Sequence, residues 1–170
     1  MATAMTMPFY LDLGFSKKEI GAVVKLFGTW AVILGGIAGA AIMLRTGLVG
    51  GLWLFGFLQM ASIPGFIVLA FVGHDLSWLA AVIAFENLSG GMGTAAYNAY
   101  MASLTNVRFT ATQYALLTSI MGVPRVIIAA PTGWLADTLG WPLFFTACTF
   151  LALPGLMLLP VIAPWRGKAD

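Results

Sequence analysis

Two ionisable residues, Glu86 and Arg125, stand inside apolar stretches where hydrocarbon would be expected. A charge at the centre of a membrane span costs about 2.5–3.5 kcal/mol even on lenient insertion scales, so such residues usually face a bundle interior or a wet cavity. With successive residues turning about 100° around a helix, Glu86 shares a face with Gly90, Gly93, Tyr97 and Tyr100. Arg125 shares one with Tyr114, Thr118, Gly122, Ala129 and Thr132. Each face is a stripe of polar and small residues on an otherwise apolar helix: glycines leave room for a ligand, and tyrosine rings give it something to stack on. Two plainer readings stand beside the cavity. Glu86 and Arg125 pair and merely hold two helices together, or Glu86 lies close enough to the start of its helix to reach water.

The other chemically capable residues point elsewhere. Cys148 is the single cysteine, which excludes a disulfide within the chain and any CxxC metal site; it reads as a small apolar residue. His74 is the single histidine and has no partner at ligand spacing, so it reads as a solvated loop residue rather than a metal ligand. Lys25 lies just inside a helix and reads as snorkelling to the headgroups. No Ser/His/Asp set, HExxH or catalytically spaced carboxylate pair occurs, so neither an enzyme nor a cofactor is expected.

The elements that position these residues follow from composition. Hydrophobic residues form 61% of the chain and charged residues 8%, against roughly 45–50% and 25% in ordinary globular domains. So few charges cannot cover a soluble surface, and the lipid bilayer becomes the expected solvent. A net charge of +2 is too small and scattered to suggest nucleic acid.

A span needs about 20 mostly apolar residues. That ruler gives a partial span over 1–13 and full spans at about 20–44, 48–72, 76–104, 112–136 and 143–163. The opening residues lack the basic start and cleavage site of a signal peptide; they read as the tail of a membrane helix, with Met1 an internal methionine of a longer protein. Ser16 and Glu19 have capping-box spacing, Gly35 and Gly39 the spacing that lets helices approach closely. Arg45-Thr46-Gly47 reads as a tight turn, and Pro64-Gly65 is expected to bend its helix. Spans alternate sides, so the loops at Arg45 and Arg108 share a face with the tail, which holds Arg166 and Lys168; the opposite loops hold Lys17 and Lys18. The positive-inside rule then puts the C-terminus in the cytoplasm.

The run ENLSGGMGTAAYNAYMASLTNVRFTATQYALLTSIMGVPR, followed by GWLADTLGWPLFF and LALPGLMLL, resembles the AmpG family of muropeptide permeases in the major facilitator superfamily. GFSKKEIG and GGIAGAAIMLRTGLVGG also fit the superfamily's pattern, and the resemblance covers essentially the whole chain. It implies an all-α polytopic membrane protein: the C-terminal six-helix half of a twelve-helix transporter, its first helix truncated, over 1–170. Its missing partner would be the N-terminal half of the same transporter. Such permeases import anhydromuropeptides, sugar–peptide fragments of peptidoglycan, across the bacterial inner membrane, driven by protons. Two departures are visible: Leu44 stands where the superfamily has an acidic residue before the turn arginine, and Arg108 is the sole basic anchor in its hinge.

For that function Tyr97, Asn98, Gln113, Tyr114 and Arg125 are the candidates for the substrate wall. A guanidinium fork suits a lactyl or peptide carboxylate, and tyrosine rings suit sugar faces. Glu86 is the candidate for proton coupling. The alternative is a non-transporting membrane half-domain that works only as the partner of another chain. A superfamily branch that carries acetyl-CoA is a more distant alternative.

Overall fold

The computed structural model describes residues 2–105 and 110–162. Arg108, Arg166 and Lys168, on which the orientation argument partly rests, lie outside the described residues, as does the side chain of Arg125. The described residues form helices and turns with no strand.

A 3-10 turn (Ala2–Met5) leads into α1 (Thr6–Asp12). The turn that follows ends in the expected capping box. Ser16 Oγ accepts from the Glu19 amide at 3.2 Å, and Glu19 Oε2 accepts from the Ser16 amide at 2.8 Å. Two of the orphan amides at the start of α2 (Lys17–Val23) are thereby satisfied. A π-helical turn (Val24–Gly28) carries the chain into α3 (Thr29–Val72).

α3 is two limbs rather than one rod. Gly47 stands inside it with φ 74° and ψ 171°, a left-handed conformation that a side chain would strain. The neighbours of α4 (Leu76–Ser103) show that the chain reverses there. On the first limb, 29–46, Gly35 packs on Leu88 and Gly39 on Met92, numbers that rise together, so this limb runs parallel to α4. On the second, 48–72, Gln59 meets Ser89 and Gly65 meets Val82, numbers that move oppositely, so it runs antiparallel. Pro64, expected to bend its helix, lies inside the second limb with helical φ/ψ.

The stretch expected as one span over 112–136 is instead two helices, α5 (Thr110–Ala129) and α6 (Thr132–Leu139). Pro131 has no amide to donate back to the previous turn, and its ring crowds that turn's carbonyl. Thr132 replaces part of the loss by donating its hydroxyl to the Ala129 carbonyl at 2.6 Å. The break also means that Thr132 does not continue the Arg125 stripe.

After Gly140, again at positive φ, α7 (Trp141–Ile162) returns along the second limb of α3. Phe66 stacks on Phe145 at 5.1 Å, and Gly56 lies against Leu156 and Leu159, an antiparallel pairing. α1 closes this end: Phe9 sits between Phe66, Trp141 and Phe145, and the Trp141 indole donates to Asp12 at 3.1 Å. His74 lies in the exposed loop between α3 and α4, as expected, and is also held there by two contacts. Its ring stacks on Phe15 at 4.3 Å and its Nε2 lies 3.8 Å from Glu19, tying two turns together, although the side chain remains 47% exposed.

Among the described residues, Lys17–Val72 and Trp141–Pro160 are long and apolar enough to cross a membrane, each with mean hydropathy 1.9. Trp30, Leu34, Ile37, Phe71, Phe150 and Met157 are all exposed, an outer surface that suits lipid and not water. Hydroxyls on these helices are satisfied locally, as a lipid environment demands. Ser62 donates to the Gln59 carbonyl at 2.8 Å and Thr149 to the Phe145 carbonyl at 2.9 Å.

Candidate functional site

The polar stripe of α4 opens into a cleft of about 680 Å³. α4 supplies Glu86, Asn87, Gly90, Gly93, Thr94, Tyr97 and Asn98; the first limb of α3 contributes Val32 and Gly36, the second Gln59, and the N-terminal turn Thr3. The spacing that groups Glu86 with Gly90, Gly93 and Tyr97 thus carries them to one wall. Tyr100, the last residue of that stripe, lines an adjoining 360 Å³ cleft with Tyr97 and Gly93.

Glycine makes the cleft wide. A Cβ at Gly93 or Gly36 would meet nothing within 4 Å, so both face open space. With α4 starting at Leu76, a rise of 1.5 Å per residue puts Glu86 about 15 Å along the helix axis. Glu86 is half-buried and accepts a hydrogen bond from Thr3 Oγ1 at 3.3 Å.

On its other side Glu86 borders a second cleft, of about 660 Å³, lined by Ile63, Phe66, Ile127, Pro131, Cys148 and Leu151. Thr3, Gln59 and Glu86 line both this cleft and the first. They form the partition between the two clefts. Cys148, as expected, is buried among apolar neighbours.

The remaining candidates do not converge on this place. Gln113 and Tyr114 belong to the first turns of α5, Gln113 exposed and Tyr114 half-buried, and neither lines any of these three clefts. The side chain of Arg125 lies outside the described residues, so its pairing with Glu86 lies there as well. Sequence reasoning missed Gln59, which lines all three clefts. The available signal was a carboxamide within an apolar run, a costly residue to hold away from water without partners.

Long apolar helices around a half-buried carboxylate, with amides and a tyrosine lining one cleft, define a helical membrane protein able to hold a polar solute. Relatives agree with that class. The chain is 39% identical over 161 residues to the anhydromuropeptide permease of Escherichia coli K12, covering 94% of the chain and 33% of that protein. It is 36% identical over 159 residues to the putative transporter AmpG 1 of Rickettsia prowazekii, covering 94% and 36%. An uncharacterised protein of Haemophilus influenzae is 43% identical over 172 residues, covering 97% and 40%. No protein-family model matches the chain. The chain is a homologue of the AmpG-type permeases along nearly its whole length. It spans between 33% and 40% of the length of these curated relatives.

Proposed function

We propose that the chain is part of a proton-driven secondary transporter that imports anhydromuropeptides across the bacterial inner membrane. It would form most of the C-terminal six-helix half of a major facilitator, with a cytoplasmic C-terminus, and the N-terminal half would supply the opposite wall. The observation that carries this reading is the 680 Å³ cleft, which gathers Glu86, Asn87, Tyr97 and Asn98 on one apolar helix. Amides and a ring face suit a sugar–peptide, and an intramembrane carboxylate suits a proton. The names of the relatives supply the substrate class.

The test is uptake of radiolabelled anhydromuropeptide into vesicles bearing the protein, with and without an imposed proton gradient. Glu86→Gln should abolish the gradient-driven component; unchanged coupling would remove Glu86 from the mechanism. A second reading, a non-transporting half-domain that acts only with another chain, is favoured by the apolar face of α5, where Leu116, Ile120 and Val123 are exposed. Under it the vesicles bind a partner chain and take up nothing.

A further inference from the structure

We propose that Gln59 orients the substrate, its carboxamide hydrogen-bonding the amide or hydroxyl groups of a sugar–peptide where the clefts meet. The role rests on the transport reading above. The assignment comes from position. Gln59 projects from the second limb of α3 towards α4, and the clefts of about 360, 680 and 660 Å³ all reach it. Among their lining residues Gln59 is common to all three.

Its surroundings fix the amide without exhausting it. Gln59 Oε1 lies 3.3 Å from Ser89 Oγ, whose hydroxyl also lies 2.9 Å from the Glu86 carbonyl. One hydroxyl proton is therefore divided between the Gln59 side chain and the backbone of the residue proposed to carry the proton. The amide packs beside Gly90, where a Cβ would stand at an ordinary contact distance of 3.5 Å from Oε1. A carboxamide offers two donors and one oxygen with two acceptor positions, more than the Ser89 contact uses. A neutral group that both donates and accepts matches the amides and hydroxyls of a sugar–peptide, and Tyr97 stands at the same junction to take a ring face. Glu86, the charged group on the partition, is left for the proton.

The experiment compares vesicles bearing the unsubstituted protein, Gln59→Leu and Gln59→Asn, measuring KM and Vmax for radiolabelled anhydromuropeptide and melting in detergent. Gln59→Leu should raise KM about tenfold, the factor that about 1.4 kcal/mol of lost binding represents, with Vmax and melting little changed. Gln59→Asn, which keeps a shortened amide, should fall between. An unchanged KM in Gln59→Leu, in vesicles whose unsubstituted protein transports, overturns the role. So does a loss of Vmax or melting temperature at constant KM, which marks a structural residue. If the unsubstituted protein neither transports nor binds the labelled ligand, the transport reading fails and this role fails with it.

Discussion

The two sides of α4 use the same residue type for opposite ends. Towards the first limb of α3, glycine brings backbones together. A Cβ at Gly35 would collide with the Leu88 carbonyl, one at Gly91 with the Val32 carbonyl, and one at Gly39 would come within 2.9 Å of the Met92 Cα. Towards the second limb, glycine holds surfaces apart: Gly93 meets nothing within 4 Å, and Gly90 meets only the tip of Gln59. Gly91 and Gly93 are two positions apart in sequence and stand on opposite sides of this division. Between lipid-embedded helices there is little hydrophobic drive, so close van der Waals contact is the main source of cohesion. The tight seam can therefore hold α4 in place while its other face stays open. A cleft in a membrane protein needs such a seam beside it.

The comparison breaks first at the seam. Gly35→Ala and Gly91→Ala should each destabilise the protein by about 1–3 kcal/mol, because the new methyl meets backbone that cannot rotate away. Melting in detergent measures this, and an unchanged midpoint would show that the seam is looser than its geometry. On the open face the expectation reverses. Gly93→Ala should leave melting unchanged or raise it by up to about 1 kcal/mol, since alanine is the better helix former. Gly93→Trp should cut anhydromuropeptide uptake by filling the 680 Å³ cleft.

A smaller loss than at the seam is expected at the capping box, remote from both faces of α4. Ser16→Ala should cost about 1 kcal/mol. Hydrogen bonds from the Ser16 hydroxyl and amide, then the nearby His74, hold the Glu19 carboxyl below its ordinary value of 4.5. A carboxylate depressed on folding contributes stability above its unfolded value, and that contribution disappears as pH falls through the folded one. Melting should therefore drop as pH falls below about 4.5, and less so in Ser16→Ala. An identical acid response in both proteins would remove the cap as its source.

Part of the site was legible along one helix. Glu86, Gly90, Gly93 and Tyr97 meet because they lie on one face of α4, and helical spacing alone puts them there. The same reasoning gave α5 a stripe whose first member, Tyr114, lines none of the three clefts. Spacing shows which residues share a face, never what the face meets. Pro64 and Pro131 make the same point for the backbone. Both lack the amide, yet only at Pro131 does the helix end, and nothing in the local sequence separates the two cases.

By itself the sequence determined that this protein is helical and built for lipid, where its turns fall at Gly47, Gly73 and Gly140, and that α4 carries a polar stripe. Those are local matters of residue type, backbone freedom and hydropathy. Only the tertiary structure decided that Gln59 stands opposite Ser89, thirty residues away, and that Gly91 closes a seam while Gly93 opens a cleft. Which side of a helix is tight and which is open depends on where its neighbours run, and the reversal of α3 at Gly47 set that.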